Sequence, residues 1–181
     1  VKREDFMADV NWLSELRFKA SYGTTGNSGI GNYLAYGTIG NYGALYNGMS
    51  GWGIGNPSNA DLTWETVETL NIGVNGRAFN FLTFNVEFYN KMTRDMLMSI
   101  PYSFTTGHSS GAGNVGDMRN RGVDVEFGFD IIQTQDLFFN IKANFNYNAN
   151  EITALFGGRD EFVVPNTGIK YQVGYPYGEM F

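Results

Sequence analysis

The chain has 181 residues, 18 acidic against 12 basic, for a net charge of −6 and a pI near 4.7. That balance offers no basic patch for nucleic-acid phosphates, and the absence of cysteine excludes disulfides and thiolate metal sites. Charged residues are only 17%, below the usual quarter, while aromatic residues reach 16% and glycines number 24. Mean hydropathy is −0.25. A β-barrel wall has this bland average, because apolar and neutral polar residues alternate along each strand. No apolar run approaches the roughly 20 residues of a membrane helix, so any spanning structure must be β. Val1-Lys2-Arg3-Glu4-Asp5 leads into no apolar stretch of the kind a signal peptide needs.

Residues 1–15 hold Phe6, Met7, Val10, Trp12 and Leu13 at mixed spacing, which reads as a turn or short helix. Leu16–Gly23 then alternates, with Leu16, Phe18, Ala20 and Tyr22 on one face and Arg17, Lys19 and Ser21 on the other. Side chains of a strand point to opposite faces with period two, so this is a first strand. Residues 24–63 show no period and are rich in Gly, Asn, Ser, Thr and Tyr. A loop longer than about 15 residues is uncommon and usually functional, and its tyrosines predict order. A second strand runs from Trp64 to Arg77, with Leu70, Ile72 and Val74 opposite Asn71, Gly73 and Asn75.

After a tight connection at 78–80, a third strand spans Phe81–Met98. Leu82, Phe84, Val86 and Phe88 form its apolar face, and Thr83, Asn85, Glu87, Tyr89 and Lys91 its polar face. Ile100-Pro101 ends it, because proline cannot donate into a ladder. An irregular stretch, 102–120, precedes the hairpin Gly122–Asn150. Val123, Val125, Phe127, Phe129 and Ile131 alternate with Asp124, Glu126, Gly128 and Asp130; beyond 133–136, Phe139, Ile141, Ala143, Phe145 and Tyr147 alternate with Asn140, Lys142, Asn144, Asn146 and Asn148. Residues 151–181 read as loop.

The connections alternate long and short: 24–63, 78–80, 102–120, 133–136, then 151 onward. Outer-membrane barrels show this asymmetry, with short periplasmic turns and long extracellular loops. Tyr22, Trp64, Phe88 and Tyr147 stand at the long-loop ends, and Phe79, Phe81, Phe138 and Phe139 at the short-turn ends, as two aromatic girdles would. The expected fold is all-β: about five strands of an antiparallel up-and-down transmembrane barrel. On this reading Phe84, Val86, Val125, Phe127, Phe129, Phe139 and Ile141 face lipid, and Asp124, Glu126, Lys142 and Asn144 face the lumen. Five strands cannot close a barrel, and hydrocarbon does not tolerate an open sheet edge, so residues 1–181 are expected to be part of a larger barrel domain.

Ordered motifs carry a resemblance. They are Phe6-Met7 with Trp12-Leu13-Ser14-Glu15-Leu16-Arg17, Ala20-Ser21-Tyr22-Gly23-Thr24-Thr25-Gly26-Asn27 and Asn59-Ala60-Asp61-Leu62-Thr63-Trp64-Glu65-Thr66. There follow Phe88-Tyr89-Asn90-Lys91, Thr93-Arg94-Asp95-Met96-Leu97, Asn114-Val115-Gly116-Asp117-Met118-Arg119-Asn120-Arg121-Gly122-Val123 and Val173-Gly174-Tyr175-Pro176-Tyr177-Gly178. In this order they resemble the barrel half of SusC/RagA-type TonB-dependent receptors of the Bacteroidetes outer membrane. The resemblance implies a 22-stranded barrel that imports glycans, or for some members peptides, with energy from TonB. It also implies an N-terminal plug, a SusD-like surface lipoprotein as a lid, and no cofactor or catalysis. No segment here resembles the plug or the TonB-contacting box, and Asn59-Ala60-Asp61 departs from the family's Asn-Pro-Asp.

The leading binding candidates are the loop aromatics Tyr33, Tyr36, Tyr42, Tyr46 and Trp52. Flat rings stack on sugar rings and phenols hydrogen-bond to hydroxyls, which suits a neutral oligosaccharide; the plainer reading has them packing the loop on itself or on a lid protein. Gly111-Ala112-Gly113-Asn114-Val115-Gly116 matches G-x-G-x-x-G but precedes an alternating run rather than a helix, so the glycines serve loop geometry. His108 is alone and reads as a solvated loop residue. Asp117, Asp124, Glu126 and Asp130 alternate along one strand and project in parallel, unlike a hydrolase pair flanking a bond. Asp160 and Glu161 have no EF-hand spacing, and no metal site is expected. A passive porin or structural barrel shares the periodicity. A soluble β-sandwich adhesin instead predicts Phe127, Phe129, Phe139 and Ile141 buried against a second sheet.

Overall fold

The computed structural model describes residues 10–29, 31–164 and 168–178. Phe6 and Met7 lie outside the described residues, as do the side chains of Tyr42 and Tyr46. Among the described residues eleven strands follow one another: β1 (Leu13–Asn27), β2 (Thr38–Tyr46), β3 (Met49–Asn56), β4 (Glu65–Ala78), β5 (Leu82–Arg94), β6 (Leu97–Pro101), β7 (Ser110–Asn114), β8 (Gly116–Gln133), β9 (Phe138–Leu155), β10 (Glu161–Val163) and β11 (Lys170–Gln172). The five long strands form one sheet in the order β1-β4-β5-β8-β9, an up-and-down meander. The pairs β2–β3, β6–β7 and β10–β11 are separate antiparallel ribbons within the long connections.

Contacts divide the chain into two compact units. The first comprises the described residues up to 24 together with 68–92 and 119–150, and is a single layer of sheet. Its alternation separates two faces as the sequence predicts. On the polar face, Tyr89 Oη donates to Asn148 Oδ1 (3.0 Å), Asn150 Nδ2 to Asn120 Oδ1 (2.6 Å), and Asn146 to Asp124. Asp130 accepts from both Arg77 Nη2 (2.8 Å) and Asn140 Nδ2 (2.6 Å). On the other face Phe18, Ile72, Phe88, Phe127, Phe139, Ile141 and Phe145 are exposed, with nothing packed over them among the described residues. The sandwich expectation fails here: Phe127, Phe139 and Ile141 are 39%, 47% and 45% exposed.

The short connection between β4 and β5 turns at Phe79 and Asn80, with φ of 51° and 61°. Two successive left-handed residues match the twist of a hairpin, as in a type I′ turn. Phenylalanine rarely adopts this conformation. Here its ring stacks between Trp12 and Phe81, at 5.6 and 6.0 Å between centroids. Arg77 Nε donates to the Asn80 carbonyl (2.9 Å), and Ser14 Oγ to Asn80 Oδ1 (2.6 Å).

The second unit comprises 25–67, 93–118 and the described residues from 151. Its core is Val115, Ile152, Leu155, Phe162 and Tyr171, all buried, with Met98, Ile100, Phe156, Val164 and Val173 packed around them. Rings run in series: Phe156 edge-on to Phe162 (5.1 Å), Phe162 beside Tyr171 (5.1 Å), and Tyr171 stacked on Tyr177 (5.0 Å). Residues 151–164 and 168–178 are therefore not the open loop the sequence suggested.

Candidate functional site

The tyrosine-rich connection is a built structure. Asn47 and Gly48, with φ of 50° and 80°, close β2 and β3 into a hairpin. Ile39 pairs with Ile54 and Asn41 with Trp52, while Gly40 pairs with Gly53. One side of this ribbon thus carries Ile39, Trp52 and Ile54, all exposed. No charged residue occurs between Lys19 and Asp61. Tyr33 and Tyr36 lie in the turn before β2, 76% and 72% exposed, and Trp52 is 71% exposed. Among the described residues no ring contact joins Tyr33 or Tyr36 to Trp52. Tyr42 and Tyr46 sit on β2 by backbone alone.

Two asparagines that composition did not single out hold this region together. Asn114 Oδ1 accepts the Thr63 N–H (2.9 Å), and its Nδ2 donates to the carbonyls of Thr63 (3.1 Å) and Asp95 (2.7 Å). Asn59 Nδ2 donates to the Ala112 carbonyl (3.0 Å). Both belong to the motifs quoted above, so those motifs mark loop-bracing side chains. Gly111 and Gly113 are strand residues of β7, opposite Ile100 and Met98, and not loop residues. A side chain at either would run into Tyr102 or Ile100.

A cavity of about 360 Å³ opens on the polar face of the first unit. It is lined by Glu15, Arg17, Arg77, Asn85, Glu126 and Lys142 among others. It brings Glu126 and Lys142 together; Asp124 and Asn144 are also on this face, Asp124 bonded to Asn146. The apolar set behaves as one face too, with Phe127 beside Phe129 (6.5 Å) and Phe84 covering the backbone at Gly76. His108 is half-buried, and its N–H donates to Thr106 Oγ1 (3.3 Å). Glu161 pairs with Lys170 (2.6 Å). Among the described residues no three acidic or histidine side chains stand together as metal ligands would.

The model of the TonB dependent receptor-like β-barrel family matches residues 7–178. The chain belongs to this TonB-dependent receptor family. It is 31% identical over 182 residues to TonB-dependent receptor P39 of Formosa agariphila, covering all of this chain and 17% of that protein. It is 31% identical over 185 residues to TonB-dependent receptor SusC of Bacteroides thetaiotaomicron, covering 96% of the chain and 18% of SusC. The solved structure of the RagAB peptide transporter superposes with a TM-score of 0.83 at 42% identity, over 95% of this chain and 19% of the matched one. The chain thus spans less than a fifth of its relatives' length. Five strands in an unclosed sheet are what such a piece of a TonB-dependent receptor barrel should show.

In this receptor segment the last described loop contains a pH-sensitive group. Burial, then the Tyr177 hydroxyl at 3.4 Å, push the Tyr171 phenol up from 10.0 to about 12. The folded loop holds this proton more tightly than the unfolded chain does. The resulting stabilisation is complete below pH 10 and is lost as pH rises through about 12. An ultraviolet titration should show one late tyrosine that Tyr171→Phe removes. A spectrum unchanged by that substitution would contradict the assignment.

Proposed function

We propose that this chain is part of the barrel wall of an outer-membrane TonB-dependent transporter of SusC/RagA type, importing glycans or other oligomeric nutrients. The observation that carries the reading is the single-layer sheet, one face laced with hydrogen bonds and the other apolar and uncovered. Water on one side and hydrocarbon on the other account for both faces. β8 then descends and β9 ascends. Asp124, Glu126, Lys142 and Asn144 line the lumen, while Phe84, Val86, Val125, Phe127, Phe129, Phe139 and Ile141 meet lipid. The long connections form the outer mouth, under a SusD-like lipoprotein, and a plug elsewhere in the full protein engages TonB. The cell is a Gram-negative one like those of the Bacteroidetes, and the segment does no catalysis.

Cargo meets the exposed aromatics of the chargeless connection, Tyr33, Tyr36 and Trp52, with Tyr42 and Tyr46 on the same ribbon. Neutral stacking surfaces favour an oligosaccharide; the 42% identity to a peptide transporter favours a peptide. In cells expressing the full-length receptor, uptake of a labelled maltooligosaccharide and of a labelled casein digest is measured side by side. Losing one stacked ring costs about 0.5–1.5 kcal/mol, so Tyr33→Ala, Tyr36→Ala or Trp52→Ala should weaken half-saturation for the true cargo class by about twofold to tenfold. Unchanged uptake in all three variants would remove these rings from the site.

A further inference from the structure

We infer that the Asn59 carboxamide is the positioning residue for the Tyr33–Tyr36 turn, an inference that rests on the cargo-binding reading of that turn. The turn is slight in itself. Leu34 N–H donates to the Gly31 carbonyl (3.2 Å) and Tyr36 N–H to the Tyr33 carbonyl (2.9 Å). Tyr33 holds φ at 66°, a left-handed conformation that a bulky residue keeps only when its surroundings impose it. Its ring and that of Tyr36 are both exposed, so their packing does not impose it.

The turn is tied down through Ala35, whose carbonyl accepts the Asn59 N–H at 3.0 Å. Asn59 is itself anchored through both ends of its carboxamide. Oδ1 accepts the Asp61 N–H (3.1 Å), a local bond that shapes only its own loop. Nδ2 donates to the Ala112 carbonyl (3.0 Å), 53 positions away on β7. That second bond carries positional information, because β7 is paired residue by residue with β6 from Leu97–Asn114 to Pro101–Ser110. Ring position thus passes from the β6–β7 ribbon through Ala112, Asn59 and Ala35 to Tyr33 and Tyr36. A Cβ at Gly113 would meet Asn59 Nδ2 at an ordinary 3.6 Å, so the contact tolerates it, and would crowd only Ile100.

Asn59→Asp separates the two anchors. A carboxylate still accepts from Asp61 but cannot donate to Ala112. At about pH 3, below the ordinary aspartate pKa near 3.9, the carboxyl O–H donates again. The experiment uses the full-length receptor in detergent, with 3-fluorotyrosine at position 33, 36 or, as control, 147. At neutral pH, Asn59→Asp should narrow the fluorine lines at 33 and 36 by about twofold, as released side chains reorient faster, and leave 147 unchanged. At about pH 3 the narrowed lines should return to the wild-type width recorded at the same pH. Lines at 33 and 36 that ignore the substitution overturn the inference. So does a change that spreads to 147, or one that persists at low pH, since either marks general damage. Uptake by Tyr33→Ala and Tyr36→Ala tests the cargo reading separately: unaffected uptake sinks that reading while the fluorine result stands.

Discussion

Removed from detergent, the isolated chain is expected to aggregate rather than unfold cooperatively as a monomer. The first unit is one sheet thick. Phe18, Phe127, Phe139, Ile141, Phe145 and Tyr147 are between 39% and 68% exposed on it, with no second layer over them among the described residues of that unit. Soluble monomers rarely expose apolar patches beyond a few hundred Å². β1 and β9 are the outer strands of the sheet, with one edge each left to pair with another chain. The buried core of Val115, Ile152, Leu155, Phe162 and Tyr171 belongs to the second unit. Sedimentation before and after detergent removal is the measurement. A stable monomer with a cooperative transition in plain buffer would end the membrane reading.

Phe127→Arg in the full-length receptor is expected to cost about 2–4 kcal/mol of folding stability in lipid vesicles, the penalty for a guanidinium near the bilayer midplane. Phe127 lies within β8 on the apolar face, beside Phe129. One residue away, Glu126 faces the opposite side, where it lines the polar cavity with Lys142 and Arg17. Glu126→Gln should therefore change stability by less than about 0.5 kcal/mol, as substitutions of exposed polar side chains usually do. Urea titrations of both variants read the contrast. Equal shifts would mean that the two faces of β8 meet the same environment.

The alternation from Val123 to Tyr147 predicted both faces of β8 and β9, and the structure keeps that parity through the cross-strand bonds Asn120–Asn150, Asp124–Asn146 and Asp130–Asn140. Element ends were less legible. β8 begins at Gly116 and β9 continues to Leu155, because ladder hydrogen bonds extend strands past the point where side-chain alternation lapses. The run Phe81–Met98 is two strands, since Asp95 turns left-handed (φ 54°) where Asn114 grips its carbonyl. Pro101 ends β6 as expected, although β6 is not part of the main sheet. The β2–β3 hairpin was missed because Gly40, Gly43, Gly51, Gly53 and Gly55 interrupt its side-chain alternation and so hide the period. Asn47-Gly48, the strongest short hairpin signal, was the clue available.

Sequence alone determined the two-faced sheet, the long and short connections and the family, because period, glycine placement and motif order are properties of neighbours along the chain. Tertiary structure alone decided what the loops are. Asn59 meets Ala112 and Asn114 meets Thr63 across 53 and 51 positions, and Phe162 reaches Tyr171 only after a return of the chain. No local pattern encodes which carbonyl an asparagine will find, so the braces behind the motifs emerge only when distant segments are brought together.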